Sequence, residues 1–546
     1  MAQYSIGLDF GTNSVRCLIV DCSTGDEAGT AIVHYPSGEA GLILNQSDPH
    51  LARQHPGDYT ESLKIAVRNA VKESGIDPSL VVGIGVDTTG SSPIPVDESG
   101  VPLGVNPAYK DNPASQCWLW KDHTSYAEAA EITKKAQKFP YLAKCGGTYS
   151  SEWFWSKILH CARTAPEIFE AAHSWVECQD YIPAWLVGNT DPKTLKRGVC
   201  AAGHKAMYSE EWGGLPSKEF LAELDPRLAD LRDRLYDTAV PSDHLAGHLC
   251  AEVAAEIGLP AGIPVAVGAF DAHMGAVGSG VKEGTLVKIM GTSTCDIMVG
   301  ESGVPDIEGV CGIVPGSVIP GMVGIEAGQS AVGDLFNWFA QKIDGRPDAH
   351  ERLSEEALKL KPGESGLVAL DWHNGNRTVL VDPLLTGLII GQTLATTKAE
   401  IYRCLIEGTA FGALRIIQQI ENEGVPIREI VVCGGIAEKS PLAMQIYADV
   451  CNRPILISRS TQTCALGAAM FGAVVGGVHK NVNDAVGAMT GFSPVSYSPI
   501  PANVEVYAKL YRAYLDLHDA FGNTSRTPDL HQTMKDLLAI QKSARS

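Results

Sequence analysis

Asp9 stands at the end of a short apolar run, SIGLDF, which is followed at once by Gly11, Thr12, Asn13 and Ser14. A carboxylate, a glycine and three small donors in that order suit a nucleotide phosphate and its metal. Glycine lets backbone amides approach without a Cβ in the way, and Thr, Asn and Ser add hydroxyl and amide donors. A single carboxylate beside phosphates is what Mg²⁺ prefers, with water filling its remaining positions. The order recurs in residues 285–299, TLVKIMGTSTCDIMV, where Gly291, Thr292, Ser293 and Thr294 stand between two apolar runs. One such turn is an ordinary hairpin; two in one chain point to a duplicated architecture that grips a polyphosphate from both sides. Gly434 and Gly435 follow a third apolar run. A Gly-Gly pair alone is a tight turn, but in register with two phosphate turns it could let a flat adenine lie against backbone. Asp271, in GAFDAH, reads by itself as a helix N-cap or turn carboxylate, and Lys205 and Glu326 by themselves as solvated or paired charges.

These residues need strands that end where they stand. Residues 5–10 and 15–20 read as a strand pair, residues 58–73 carry apolar positions at helical spacing, and residues 81–86 read as a buried strand ending at Asp87. Helix followed by strand is the α/β pattern, whose ligands bind at the C-terminal ends of strands. Residues 251–257 are expected as a helix stopped by Gly258, and residues 265–267 as the strand before Asp271. In the second half, helices are expected at 401–417, 465–475 and 504–517, and strands at 430–433 and 455–457. Ser440 and Pro441 have the character of an N-cap and first helical residue. Six tryptophans, Trp118, Trp120, Trp153, Trp155, Trp175 and Trp185, fall in one stretch. Most are expected in the core, although rings interspersed with Lys121, Asp122, Gln179 and Asp180 would also suit a sugar.

With 546 residues the chain can build two or more domains, and 45% apolar against 19% charged residues is a globular profile. A net charge of −20 argues against nucleic acid and against an anionic membrane as partners. Fourteen cysteines without a CxxC pair read as free thiols in a reducing compartment, and no basic, apolar leader precedes the first strand, so a cytoplasmic protein is expected. There is no GxxxxGK[ST], no GxGxxG after a strand, no HExxH and no GxSxG, which removes Walker ATPases, protein kinases, zincins and hydrolases.

The chain resembles, over nearly its whole length, the FGGY family of carbohydrate kinases, within the superfamily of actin, hexokinase and the Hsp70 ATPase. The resemblance rests on the turns at Asp9–Asn13 and Gly291–Ser293, on Gly434, Gly435 and Ile436 with Ser440, Pro441 and Gln445 behind them, and on GAFDAH. It implies an α/β, two-domain, actin-like ATPase (ribonuclease H-like) fold with a ligand cleft between domains. Residues 1–279 would form the first domain, 280–501 the second, and 502–546 a terminal helix and tail. It gives Asp9, Gly11, Thr12, Asn13, Gly291, Thr292 and Ser293 to the phosphates of ATP, and Asp9 to Mg²⁺ through water. Gly434, Gly435 and Ile436 go to adenosine, and Asp271 becomes the base that deprotonates the acceptor hydroxyl. Ala465, Gly467, Ala468 and Ala469 match the small-residue helices that let the domains approach. Trp120-Lys121-Asp122-His123-Thr124, where other branches have Trp-x-Asp-x-Arg, is similar to the branch that acts on ribulose. So are GHKAMY around Lys205 and GIEAGQSAVGD around Glu326. That places Trp120, Lys205, Asp271 and Glu326 on the sugar. The implied activity is phosphorylation of the terminal hydroxyl of a ketopentose, L-ribulose from arabinose catabolism first, with D-ribulose, xylulose and ribitol left open, as is a homodimer. An ATPase that drives assembly or folding, and a non-catalytic sugar sensor, are the competing classes. Asp271 past a strand and the Trp-rich stretch favour a small-molecule pocket.

Overall fold

The computed structural model describes residues 2–523, 526 and 528–545. Tyr4–Phe10 (β1) and Ser14–Asp21 (β2) form the first hairpin, and Glu27–His34 (β3) continues the antiparallel sheet. Helix Pro56–Ser74 (α1) has Pro in its first turn and stops at Gly75, whose φ of 64° lies in the left-handed region. Val81–Thr88 (β4) then runs parallel to β1 with Asp87 beside Asp9. Between β4 and the rest of this sheet comes a largely helical insertion that includes Phe154–Thr164 (α2) and Val199–Lys205 (α3). Leu245–His248 (β5), Pro264–Ala266 (β6) and Ala269–Phe270 (β7) complete the sheet, in the order β5-β6-β4-β1-β2-β3 with β7 also alongside β4. Asp271–Gly278 (α4) follows directly.

The second half repeats the plan. Thr285–Met290 (β8) and Thr294–Gly300 (β9) are the second hairpin, extended by Gly312–Pro315 (β10) and Val323–Ala327 (β11). After the helices Gly333–Trp338 (α5) and Lys398–Asn422 (α6), Glu429–Cys433 (β12) lies parallel to β8 as β4 does to β1. The short helix Gly435–Lys439 (α7) leads into Pro441–Cys451 (α8), where Ser440 accepts the Ala443 N–H as the expected N-cap. Ile455–Ser458 (β13) and Phe492–Tyr497 (β14) finish a sheet ordered β10-β11-β9-β8-β12-β13-β14.

Helix Thr463–Val475 (α9) ties the halves together. It comes late in the chain but lies on the first sheet, so close that a Cβ on Gly7 would fall 1.8 Å from the Ala465 carbonyl oxygen and one on Gly85 1.8 Å from that of Ala468. Glycine in the strands and alanine or glycine in the helix are what this approach demands. α9 also crosses α4, where a Cβ on Gly467 would meet the Met274 carbonyl at 1.9 Å. The expected boundary at residue 279 thus falls in the link between α4 and β8, while the packing runs across it.

Of the six tryptophans, Trp118, Trp153, Trp155 and Trp175 are core of the insertion. The polar residues interspersed with them are also committed: Asp122 pairs with Arg53 and accepts the Ala52 N–H, and Asp180 accepts from Gly198 and Gln179. Burial needs these partners, and they leave neither acid for a sugar. The terminal helix extends over Pro501–Gly522 (α10), and the tail after it contains a further helix, Thr533–Arg545 (α11). Leu537 is its buried anchor, and Gln541 and Arg545 donate to the Ser365 and Glu364 carbonyls. Among the described residues no helix is long and apolar enough to cross a membrane.

Candidate active site

The strand ends that carry the candidate residues meet where α4 crosses α9. A Cβ on Gly275 of α4 would lie 3.1 Å from the Cys464 Sγ and 3.7 Å from Ile289 at the end of β8. The Cys464 thiol in turn feels Asp9, Asp87, Asp271 and Cys433, after burial the groups that raise its pKa. The ends of β1, β4, β8 and β12 therefore converge, and both phosphate-type turns flank one cleft.

In the first turn the Gly11 N–H bonds the Ser14 carbonyl at 3.0 Å, and in the second the Gly291 N–H bonds that of Ser293, also at 3.0 Å. Each turn is closed by its glycine's own N–H, the second loop being one residue shorter than the first. The Asn13 amide is held by the Ala40 carbonyl at 2.6 Å, and the Thr12 hydroxyl accepts the Trp120 indole N–H at 3.1 Å. Trp120 thus stands at the first turn. The second turn is fixed from behind: the N–H groups of Val332, Gly333 and Asp334 at the start of α5 donate to the Thr292 and Gly291 carbonyls, at 2.9 to 3.1 Å. Ile436 closes in on the same place, since a Cβ on Gly333 would lie 3.1 Å from its Cδ1 and 2.4 Å from the Gly291 oxygen.

Gly434 has a φ of 95°, and a Cβ there would fall 2.5 Å from the Met290 carbonyl oxygen, whereas a Cβ on Gly435 would meet nothing within 4 Å. The two glycines differ in role. Gly434→Ala should strain the end of β8 and destabilise the fold by about 1 to 3 kcal/mol. Gly435→Ala should leave thermal stability within about a degree and weaken ADP if the nucleotide lies against it. Melting curves with and without ADP separate the two, and equal effects would contradict the division.

Three acids gather at the cleft floor. Asp9 is bonded by Arg16 at 3.3 Å, yet burial still raises its carboxyl. Asp87 is fully buried with neither oxygen bonded, and burial, then Asp9 and Asp271, push its pKa far up. Asp271 is the first residue of α4, its Oδ1 accepting the Ala272 N–H at 2.7 Å; burial, then Asp9, raise it to about 7. Three carboxylates that repel one another, with Arg16 bonded to Asp9 alone, are a fitting donor set for a hard divalent ion.

Lys205, at the end of α3, and Glu326, in β11, come from opposite halves and bond at 3.0 and 3.2 Å. The Lys205 ammonium also lies 5.3 Å from the Trp153 ring and 5.7 Å from that of Phe270, the residue before Asp271. Burial would raise the Glu326 carboxyl, but Lys205 and, after it, Arg377 hold it well below its ordinary range. Arg377 reaches Glu326 Oε1 at 2.9 Å. His204 and His273 bond each other at 3.0 Å, and burial keeps both from protonating, His273 down to about 4. Among the described residues His204, His273 and Glu326 could reach one metal ion, but Lys205 and Arg377 already balance the carboxylate.

The match with known proteins covers both halves. The N-terminal domain of the FGGY family of carbohydrate kinases matches residues 4–278, and the C-terminal domain of that family matches residues 286–475. The chain belongs to the FGGY family of carbohydrate kinases. It is 41% identical to a ribulokinase of Vibrio parahaemolyticus over 94% of this chain and 95% of that one. With a ribulokinase of Geobacillus thermodenitrificans it shares 42% identity over 100% and 98%. A crystal structure of xylulose kinase from Rhodospirillum rubrum superposes with a TM-score of 0.80 at 23% identity, covering 95% of this chain and 99% of that one. Plasmodium falciparum glycerol kinase with ADP gives 0.77 at 15% identity, covering 94% and 98%. The fold of this carbohydrate kinase is the actin-like ATPase fold those enzymes share.

Four residues of the kinase's cleft went unassigned by sequence reasoning. Asp87 had a signal, an acid at a strand's C-terminal end, but only the pairing of β4 with β1 brings it to Asp9. His204 and His273 adjoin assigned motifs; Arg377 sits in a loop with no motif of its own.

Proposed function

We propose that this kinase transfers the γ-phosphoryl group of ATP to the terminal hydroxyl of L-ribulose, as a step of arabinose catabolism in the cytoplasm. The observation that carries the reading is the Lys205–Glu326 pair beside Asp271: a donor, an acceptor and a base, two of them from segments that resemble the ribulose branch. Asp271 takes the proton of the attacking hydroxyl. The amides and hydroxyls of Thr12, Asn13, Thr292 and Ser293, with Gly11 and Gly291 closing the turns, hold the phosphates, and Gly434, Gly435 and Ile436 receive adenosine. Lys205, Glu326 and Trp120 orient the sugar. Asp9, with Asp87 beside it, is suited to hold Mg²⁺ through water, and the ion when bound would neutralise charge on the β- and γ-phosphates. All fourteen cysteines are unpaired, in keeping with a reducing compartment. The test is ADP release with ATP and a panel of ketopentoses and ribitol. L-Ribulose should give the highest kcat/KM; preference for another sugar would reassign the substrate, and sugar-independent turnover would favour an ATPase.

The Lys205–Glu326 bond already joins the halves at the sugar end, so the motion left to the cleft is at the phosphate turns. Sugar and a non-hydrolysable ATP analogue together should draw those turns in and exclude water that would otherwise accept the phosphoryl group. Solution scattering should show a smaller radius of gyration with both ligands than with neither. No compaction would count against closure.

A further inference from the structure

Two buried ionisable side chains outside the cleft converge on one short turn, residues 89–92, directly after β4. Lys157, on α2, has no exposed surface, and its ammonium donates to the carbonyls of Ser91 at 2.8 Å, Leu119 at 2.8 Å and Trp118 at 3.4 Å. On the other flank Glu177, also buried, accepts the Ser91 hydroxyl and the Ser92 N–H, the latter at 2.7 Å. The turn is pinned further by the Thr89 N–H on the Phe10 carbonyl at 3.1 Å and by the Cys178 N–H on that of Ser92 at 3.0 Å. A further contact is that of Gly90, packed so tightly on the Phe270 ring that a Cβ would fall 1.8 Å from a ring carbon. Phe270 is the residue before Asp271, and β7 runs parallel to the end of β4, so the turn and the start of α4 leave the sheet side by side.

A core that needed only packing would be served at lower cost by an apolar residue, because burying an ammonium costs several kcal/mol before its partners offset it. Here three N–H donors are matched to three carbonyls from two segments far apart in the chain. One segment is the turn; the other runs from Trp118 through Leu119 into Trp120, whose indole holds the Thr12 hydroxyl. Burial draws the Lys157 ammonium down to about 7 and the Glu177 carboxyl up to about 7, so each charge leans on the other and on the turn between them.

We propose that Lys157 and Glu177 are positioning residues for the sugar: they clamp residues 89–92 against Phe270 and so set the gap between that turn and Asp271 in which the acceptor hydroxyl must sit. The inference rests on the carbohydrate-kinase reading but not on which ketopentose is used. A displacement of about 1 Å at such a wall costs up to about 100-fold. Lys157→Met and Glu177→Met roughly keep the volume and remove the hydrogen-bonding groups of the clamp from one side each. The expected result is a sugar KM raised about 10- to 100-fold in each variant, with the ADP dissociation constant within about twofold of the parent. Because both act on one turn, the double variant should be no more than about threefold worse than the poorer single one. The sugar assayed is whichever one the parent turns over best, so failure of L-ribulose would overturn the substrate and leave this test standing. If Lys157→Met does not fold, Glu177→Met carries the test alone. A folded variant with parental sugar KM, equal weakening of sugar and ADP, or multiplicative losses in the double variant would each overturn the clamp.

Discussion

Asp271→Asn is expected to lower turnover by about 10²- to 10⁴-fold, the usual contribution of a positioned general base, while sugar and ADP still bind. Asparagine keeps the shape and can still accept the Ala272 N–H through its Oδ1, so α4 should start as before. What it loses is the ability to take a proton. The parent should show the complementary pH dependence. Burial, then Asp9, raise the Asp271 carboxyl to about 7. A base works only when deprotonated, so kcat/KM should rise with pH through about 7 and level off above it. In the asparagine variant this rise should disappear. Near-parental kcat in that variant would remove Asp271 from the mechanism.

The second large effect should come from Glu326, and its size follows from the charges around it. Lys205 and Arg377 both bond this carboxylate, and Lys205 is 3% exposed. Glu326→Ala leaves a buried lysine without its partner, which costs about 3 to 5 kcal/mol where such pairs are broken. Lys205→Ala is milder, because Glu326 keeps Arg377 at 2.9 Å. In activity both should act on the sugar: each unmatched polar group costs about 1 to 3 kcal/mol, or roughly 5- to 150-fold in kcat/KM, and the gap between L-ribulose and its epimers should narrow. Melting temperature, ADP affinity and the ketopentose panel, measured for both variants, separate the two consequences. If both keep the parent's ranking of sugars, neither residue reads the substrate. Equal loss of melting temperature would mean that Arg377 does not hold Glu326 in solution.

The helices and strands that carry the chemistry were legible because each ends at a local signal. Gly258 stops the helix at Ile257, Ser440 and Pro441 start the helix through Cys451, and both hairpins turn at a glycine followed by small polar residues. The tail helix went unread although Met534, Leu537 and Leu538 stand at helical spacing, because only Leu537 of the three is buried and a short apolar group in a polar segment looks the same whether or not it docks. In the site, residues next to each other in sequence were found and residues brought together by pairing were not. Asp87 reaches Asp9 only through strand register, and Arg377 reaches Glu326 across 51 residues of chain. Asp122 and Asp180 misled for the converse reason: a polar residue among aromatics looks the same in sequence whether it meets a sugar or a buried arginine.

The late helix that covers the first sheet also sets a timetable for biosynthesis. The strands bearing Gly7 and Gly85 are among the first parts of the chain to leave the ribosome, while the alanines that cover them, near residue 468, emerge when most of the protein has been made. Until then one apolar face of a finished-looking sheet has no lid. The nascent chain must therefore be sheltered or remain loosely formed through most of translation, and a message truncated before residue 463 yields a sheet that cannot be completed.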